Sequence, residues 1–421
     1  MGTDHEVVIV GAGIGGLTLA LSLHQIGVET RIFESVSELQ EVGAGINLLP
    51  HAVRELDELG VTDALDDVGI RTQDASYFNQ YGQRIYTEPA GLAAGYPWPQ
   101  YSIHRADLQS VLLETVHERL GPGSVVTGHK CVGVAESSTG AGVTAVFEDP
   151  DGEPLGSVSG RILVGCDGIH SAIRKQFYPE EGPPVYSGIM LWRGVTPHQR
   201  FLSGANTARL GWMDCGKLTI YPVRNDIDED GNQLVNWVAS LRRAESANWE
   251  WHGVGALEEF FEPFSSWHFE WLDVAEVLAK TDPILIFPMV DRDPVPTWSF
   301  GPVTMLGDAA HPMYPRGSNG AGQAILDARY LAGCLKRQGI VEEALQEYDR
   351  ERVAVTSEVV LMGRRNPPDA ILREVYERTG GEPFVSIDDV IPRRELEQIA
   401  ERYRQVARFD VEHLRARESY V

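Results

Sequence analysis

A glycine motif near the start of the chain constrains the fold most strongly. Gly11, Gly13 and Gly16 form G-x-G-x-x-G directly after the β-branched run at residues 7–10. That run predicts a buried strand, the apolar pattern after it predicts a helix over 14–26, and residues 29–34 predict a second strand. The chain is therefore predicted to begin with a β-α-β unit, whose two strands are parallel and joined by a right-handed crossover.

The same motif predicts a dinucleotide site. Glycines at these positions permit a tight turn, a close approach of the backbone to a pyrophosphate, and close packing of helix on strand. The helix N-terminus offers free N–H groups and a partial positive charge to the phosphate. The predicted contacts are Gly11, Gly13, Ile14, Gly15 and Gly16, together with Glu34, which ends the second strand and can accept hydrogen bonds from a ribose. The alternative is that these are only packing glycines, and the motif alone does not distinguish FAD from NAD.

The rest of the chain alternates between helical and strand-rich regions. Helices are predicted over 47–60 and 104–121, and each range ends on a glycine. Strands dominate 184–241 and recur at 284–288. A strand after Gly301 leads into a long helix from Gly320, and the chain beyond 341 is predicted to be helical apart from a break at 366–368.

Composition excludes several classes of function. The 421 residues carry a formal net charge of −25, which argues against a nucleic-acid or anionic-membrane surface. The four cysteines lie far apart without C-x-x-C, so we expect no zinc site or redox dithiol, and no other metal site. The apolar N-terminal stretch lacks the basic region of a signal peptide. We expect a cytoplasmic protein, monomer or homodimer, without nucleic-acid or membrane partners.

Two later motifs also place polar groups where a strand ends and a helix begins. In "CDGIHSAIR", residues 166–174, Asp167 follows a strand and could form a pocket edge or simply cap the helix. In "LGDAAHPMYPRGSNGAGQAILDA", residues 306–328, Asp308 follows a strand, and the N–H groups of Gly320 and Ala321 open the last long helix. His311 lies close to Asp308, and we favour a role in orienting this loop over acid–base catalysis.

These three motifs, in this order, resemble those of the single-component FAD-dependent aromatic hydroxylases, the family of para-hydroxybenzoate hydroxylase. Within that family the chain is most similar to the phenazine-hydroxylase branch. The resemblance implies an α/β fold with a Rossmann-like FAD-binding domain, an interleaved strand-rich substrate domain and a helical C-terminal segment. The implied boundaries are 1–75, 101–180 and 295–365 for the FAD-binding domain, 76–100 and 181–294 for the substrate domain, and 366–421 for the helical segment.

The resemblance also implies roles for individual residues. Gly11 to Gly16 and Glu34 would hold the ADP part of FAD. Further contacts are implied for Arg105 with the pyrophosphate or ribityl chain, Val132 with adenine through its backbone, Asp167 with FAD and reduced nicotinamide, Asp308 with the ribityl chain, and the backbone from Pro315 through Gly320 to Ala321 with the flavin ring. The chain departs from many relatives at Asn319, Gly322 and Leu326, which we expect to tune flavin contacts.

The implied activity is that of an FAD-dependent monooxygenase. Such an enzyme uses NADH or NADPH and O2 to hydroxylate an electron-rich aromatic or N-heteroaromatic small molecule through a flavin C4a-hydroperoxide. An FAD-dependent reductase or dehydrogenase, and a non-catalytic FAD-binding sensor, remain as alternatives. The sequence singles out no catalytic acid or base in the protein.

Candidates for the substrate pocket come from the strand-rich region. Strand alternation puts Tyr186 on the same face as Met190 and Trp192, and Arg193 on the other. Arg193 could neutralise an anionic substrate or pair with an acid, and we favour the structural pair. The candidate walls for a flat ring are Trp212, Tyr221, Trp237 and Met289, for which core packing is the alternative.

Overall fold

Two large and two small sheets, with helices around them, form the part of the chain that the computed structural model describes, residues 5–39, 44–136, 142–244, 253–365, 367–406 and 410–421. The strands, in chain order, are β1 (His5–Val10), β2 (Thr30–Phe33), β3 (Gly45–Leu48), β4 (Gly69–Arg71), β5 (Asp74–Phe78), β6 (Arg84–Pro89), β7 (Tyr101–His104), β8 (Val125–Val126), β9 (Lys130–Glu136), β10 (Val143–Glu148), β11 (Pro154–Gly165), β12 (Val185–His198), β13 (Asn206–Trp212), β14 (Gly216–Arg224), β15 (Gln233–Arg242), β16 (Gly253–Val254), β17 (His268–Phe269), β18 (Leu272–Asp273), β19 (Leu285–Asp291) and β20 (Val303–Met305). The α-helices are α1 (Ile14–Gln25), α2 (Pro50–Glu58), α3 (Thr62–Val68), α4 (Arg105–Leu120), α5 (Ala172–Phe177), α6 (Val274–Ala279), α7 (Gly320–Gln338), α8 (Glu342–Arg365), α9 (Ala370–Thr379), α10 (Arg393–Val406) and α11 (Val411–Ala416).

The first large sheet contains the predicted β-α-β unit. β1 lies between β2 and β11 and is parallel to both, while β8 and β20 extend the parallel part beyond β2 and β11. The first half of the long strand β11 pairs antiparallel with β10, which pairs in turn with β9. Because the carboxyl ends of parallel strands meet at one edge, the glycine motif, Glu34, Asp167 and Asp308 are brought to the same edge of the sheet.

The second large sheet has the order β16-β19-β12-β15-β14-β13-β5-β6. Its two faces differ in environment, as the alternation along β12 predicts. Met190 and Trp192 belong to a hydrophobic cluster on one face, whereas Leu191 and Arg193 face a cavity on the other. This sheet therefore closes one side of that cavity.

One predicted helix begins later than the sequence pattern indicated. Residues 45–48 form strand β3, which pairs with β7, and α2 begins only at Pro50. Proline at the first helical position has the backbone angle of a helix and needs no N–H partner there. Asn47 instead accepts a hydrogen bond of 2.7 Å from the hydroxyl of Ser102 on the neighbouring strand. The prediction of helix from residue 47 is wrong for its first residues.

The C-terminal helices cover part of the second sheet. Side chains of α9, among them Ile371 and Leu372, share one hydrophobic cluster with Leu191, Met213 and Met289. Asn366, in the predicted break, lies outside the described residues, and α8 and α9 flank it. The α/β class and the helical C-terminal segment are confirmed; the domain boundaries stay predictions. None of the helices in the described ranges is long and apolar enough to cross a lipid bilayer.

Candidate functional site

A cavity of about 380 Å³ lies between the carboxyl edge of the first sheet and the face of the second. It brings together most of the residues predicted for cofactor and substrate. Those that line it are Gly13, Ile14, Gly15, Arg105, Arg193, Tyr221, Met289, Asp308, Pro315, Gly320 and Ala321. Segments more than 300 residues apart in sequence therefore share one site.

The glycine loop has the geometry that a bound pyrophosphate needs. Gly11 has φ +105°, and a Cβ placed there would overlap the carbonyl oxygen of Cys166. A Cβ at Gly16 would overlap the carbonyl oxygen of Gly11, whereas one at Gly13 would meet no atom of the described residues within 4 Å. Gly13 precedes α1 without a side-chain cap, so the first N–H groups of α1 remain available to an anion.

Glu34 is fixed beside this loop by backbone donors. Its Oε2 accepts a hydrogen bond of 2.7 Å from the N–H of Ala12, and its Oε1 accepts bonds from the Ser35 hydroxyl and the Val36 N–H. Each carboxylate oxygen has two lone pairs, so acceptor capacity remains. The contact of Glu34 with a ribose stays a prediction.

Asp308 faces the cavity. Its side chain is exposed to the cavity, and desolvation by the protein around the cavity raises its pKa. It lies directly after Gly307, whose N–H donates a hydrogen bond of 3.1 Å to Asp327. An acceptor in this position suits a polyol chain.

His311 is buried and bound to a buried carboxylate. Its Nε2 lies 2.5 Å from Oδ2 of Asp327, whose other oxygen accepts a hydrogen bond of 2.7 Å from Nε of Arg352. The pKa of Asp327 is lowered, because His311 and Arg352 outweigh the opposing effect of burial. This buried network anchors the loop that carries Asp308, in agreement with the orienting role favoured for His311.

Asp167 combines a helix-capping role with an unsatisfied oxygen. Its Oδ2 accepts a hydrogen bond of 2.8 Å from the N–H of Ala172, and Oδ1 is buried without a partner among the described residues. Burial raises the pKa of Asp167. Arg174 in the same motif was not predicted as a site residue, yet its guanidinium donates to the carbonyl oxygen of Ala310 at 2.5 Å and so supports the Asp308 loop.

Arg193 does not form, within the described residues, the pair with an acidic side chain that the sequence favoured. One of its terminal nitrogens donates a hydrogen bond of 3.0 Å to the carbonyl oxygen of Gly45, and its buried Nε has no partner in the described part of the chain. Tyr221 donates to the same carbonyl oxygen at 2.7 Å. Burial lowers the pKa of Arg193 and raises that of Tyr221 to about 12. Because no acid among the described residues pairs with this guanidinium, it can meet an anion in the cavity.

Three residues predicted for the substrate pocket lie elsewhere. Trp237 is fully buried on the opposite face of the second sheet, where its indole N–H donates to the Thr281 hydroxyl at 2.8 Å. Tyr186 packs toward that same face and donates to the carbonyl oxygen of Arg243. Trp212 lies beneath the guanidinium of Arg316, 5.6 Å from it, outside the lining of the cavity. Strand alternation and the packing of α9 explain these positions.

Val132 also lies outside the cavity lining. Its side chain is exposed on β9, so a contact with adenine would involve only its backbone, and it stays a prediction.

Two cations beside the cavity were not predicted. Lys217 and Arg316 line it, and both bind the carboxylate of Asp369, the N-cap residue of α9. Asp369 is separated from Lys217 by 152 positions, so no local pattern in the sequence could indicate the contact. Within the described ranges, no group of three or more His, Cys, Asp and Glu side chains is placed to hold a metal ion.

Comparisons with known proteins agree with this geometry. A family model described as FAD binding domain matches residues 4–362. Phenazine 1,6-dicarboxylic acid hydroxylase from Lysobacter antibioticus is 41% identical over 366 residues, covering 86% of this chain and 90% of the relative. The 3-amino-4-hydroxybenzoate 2-monooxygenase of Streptomyces cremeus is 33% identical, covering 86% of each chain.

The fold is also found in a solved structure. The structure of Klebsiella pneumoniae HpxO complexed with FAD and uric acid superposes with a TM-score of 0.74 at 23% identity, covering 94% of this chain and 96% of that one. The glycine loop, whose open side faces free helical N–H groups, fits the pyrophosphate of FAD. The chain therefore belongs to the FAD binding domain family of flavoprotein aromatic hydroxylases, as its three linked motifs predicted.

Proposed function

We propose that this protein is an FAD-dependent monooxygenase that uses NADH or NADPH and O2 to hydroxylate an electron-rich aromatic or N-heteroaromatic small molecule. The observation that carries the proposal is a single cavity with the glycine loop and Asp308 on one side and Leu191, Met289 and buried cations on the other. A cofactor and a flat organic ring can therefore share one cavity. The relatives named above are a phenazine hydroxylase and a hydroxybenzoate monooxygenase.

Each side of the cavity has a distinct task in this proposal. The glycine loop and the N-terminus of α1 bind the pyrophosphate, Glu34 binds the adenosine ribose, and Asp308 binds the ribityl chain. The backbone from Pro315 to Ala321 supports the flavin ring. The N-terminus of α7, at Gly320, directs its partial positive charge toward that ring and favours negative charge on it.

The chemistry requires a dry site more than a protein acid or base. FAD, when bound and reduced by NAD(P)H, supplies the activation of O2. The apolar walls Leu191, Met213 and Met289 exclude water, which protects the activated oxygen from loss as H2O2. His311, bound to Asp327, holds the cofactor loop in this proposal. The cytoplasmic location proposed here rests on the composition of the chain and on its N-terminal stretch, and the protein is proposed to be a monomer or a homodimer.

Aromatic ligands are expected to stimulate the oxidation of NAD(P)H. A panel of phenazines, hydroxybenzoates, hydroxypyridines and quinolones should contain at least one compound that speeds NAD(P)H oxidation by about tenfold or more, a barrier change of about 1.4 kcal/mol. Oxygen uptake should match NAD(P)H use, and a hydroxylated product should form. NAD(P)H oxidation that needs no O2 would indicate a dehydrogenase instead, and FAD binding without any turnover would indicate a sensor.

A further inference from the structure

A buried ion triad joins three separate parts of the chain at the cavity wall. Lys217 is on β14, Arg316 is in the loop before α7, and Asp369 occupies the N-cap position of α9. Nζ of Lys217 bonds to Oδ2 of Asp369, and a terminal nitrogen of Arg316 lies 2.9 Å from Oδ1. Asp369 is 0% exposed and Lys217 5% exposed, so water screens these charges little. Asp369 lies beyond residue 362, where the match to the family model ends.

The triad carries one positive charge more than its single carboxylate neutralises. Burial lowers the pKa of Lys217, while Asp369 opposes that effect, and the two cations hold the pKa of Asp369 below its usual value. An ammonium has three N–H donors and a guanidinium five. In the described part of the chain, Lys217 uses one donor and Arg316 uses two, all on Asp369. Since both residues line the cavity, an anion there can accept hydrogen bonds from the remaining N–H groups.

The charge of the whole cavity points in the same direction. Its described lining includes the cations Arg105, Arg193, Arg209, Lys217 and Arg316, against one carboxylate, that of Asp308. The chain as a whole carries a net charge of −25, so this local excess of positive charge runs against its composition. A positive cavity in an acidic protein favours an anionic ligand.

The wall around Lys217 suits a carboxylate attached to a flat ring. Lys217 is paired across the sheet with Ser240, and Ser240 is paired with Leu191, so cross-strand neighbours about 5 Å apart offer a cation, a hydroxyl and an apolar surface. Arg193 lies two strands away from Lys217 and two residue pairs further along, beside Val238. The Lys217 position is therefore separate from that of Arg193 and Tyr221, which both contact Gly45.

We propose that Lys217 and Arg316 form an anion-binding subsite that receives a carboxylate substituent of the aromatic substrate. The inference rests on the proposed function and narrows its substrate class to aromatic acids. Asp369 neutralises one of the two cations and holds both at the wall. The carboxylate of the substrate then balances the second charge through charge-assisted hydrogen bonds.

The test compares a charged and an uncharged probe. Phenazine-1,6-dicarboxylate and its diamide are titrated into the FAD-loaded protein, and the perturbation of flavin absorbance gives each Kd. The wild type should bind the dicarboxylate about tenfold or more tightly than the diamide. Lys217→Gln and Arg316→Gln should each weaken dicarboxylate binding about tenfold while changing the Kd of the diamide less than about twofold.

Controls separate loss of charge from loss of structure. Arg242→Gln, at an exposed ion pair with Asp214 on the same sheet, should leave both affinities unchanged. If Lys217→Gln binds no FAD, the other two variants test the subsite instead. Arg316→Gln should weaken dicarboxylate binding as above, and the charge-conserving Lys217→Arg should retain the preference for the dicarboxylate.

Several outcomes would overturn the subsite. Equal affinity of the wild type for the two probes, or a parallel loss of both affinities in the glutamine variants, would do so. Hydroxylation of neutral aromatics without any preference for acids would overturn the subsite and leave the monooxygenase standing. Failure of every aromatic compound, charged or neutral, to bind or react would overturn the proposed function itself.

Discussion

The Gly11→Ala variant is expected to lose its bound FAD. Gly11 has φ +105°, which an alanine adopts only under strain, and the added Cβ would overlap the backbone carbonyl of Cys166. Because the overlap is with backbone on the adjacent strand, relief requires a shift of the loop, at a cost on the order of 3 kcal/mol. A cost of that size corresponds to about a hundredfold in affinity. Flavin absorbance per mole of protein after gel filtration measures the loss.

A second glycine provides the matched control. Gly27 also has a positive φ, +75°, but within the described ranges a Cβ there would meet no atom closer than 4 Å. Gly27→Ala should therefore cost only about 1–2 kcal/mol of stability through its backbone conformation and retain FAD. Full flavin content in Gly11→Ala, or equal losses in the two variants, would contradict the assignment of the glycine loop as the pyrophosphate site.

Asp327→Asn is expected to destabilise the protein by about 3–5 kcal/mol, because it leaves the buried Arg352 and His311 without their carboxylate. Chemical denaturation at neutral pH measures the change in the free energy of unfolding. Asp214→Asn, which breaks the exposed pair with Arg242, should cost at most about 1 kcal/mol. Similar costs for the two substitutions would show that the buried network does not hold the loop.

The effect of Asp327 should also depend on pH. Its pKa in the folded protein lies below the usual value, so its ionisation stabilises the fold above the pKa of the unfolded chain, at about 3.9. That contribution is lost as the pH falls through the lower pKa of the folded state. The difference in unfolding free energy between wild type and Asp327→Asn should therefore shrink as the pH is lowered below about 4. If the difference stays constant across that range, the charge of the Asp327 carboxylate does not stabilise the folded protein.

The cofactor side of the site was predictable because each of its parts is local. The glycine loop, Asp167 and Asp308 each follow a hydrophobic strand within a few residues, and parallel strands bring their carboxyl ends to one edge. Strand alternation also separated Arg193 from Met190 and Trp192 correctly. These features follow from the spacing of apolar residues and from the residue types in the turns, and both can be read from a single sequence.

The substrate side depends on contacts between distant segments. Trp237 was placed at the pocket by residue type, but the face that its strand β15 turns to the cavity carries Val238 and Ser240. The contact of Lys217 with Asp369 requires the packing of α9 on β13, which no short window of sequence reveals. Likewise, Arg193 has no acidic partner among the described residues, because the sheet directs it toward Gly45 and the cavity.

The origin of the oxygen in the product tests the central claim most directly. The FAD-loaded protein is incubated with NADH or NADPH, 18O2 and an aromatic acid that stimulates turnover, and the product mass is measured. A monooxygenase inserts one atom of O2, so the product should gain one 18O atom per hydroxyl group introduced, with none from H2 18O in the reciprocal experiment. A product that takes its oxygen from water, or NAD(P)H oxidation that yields only H2O2 with every compound of the panel, would contradict the proposed hydroxylase.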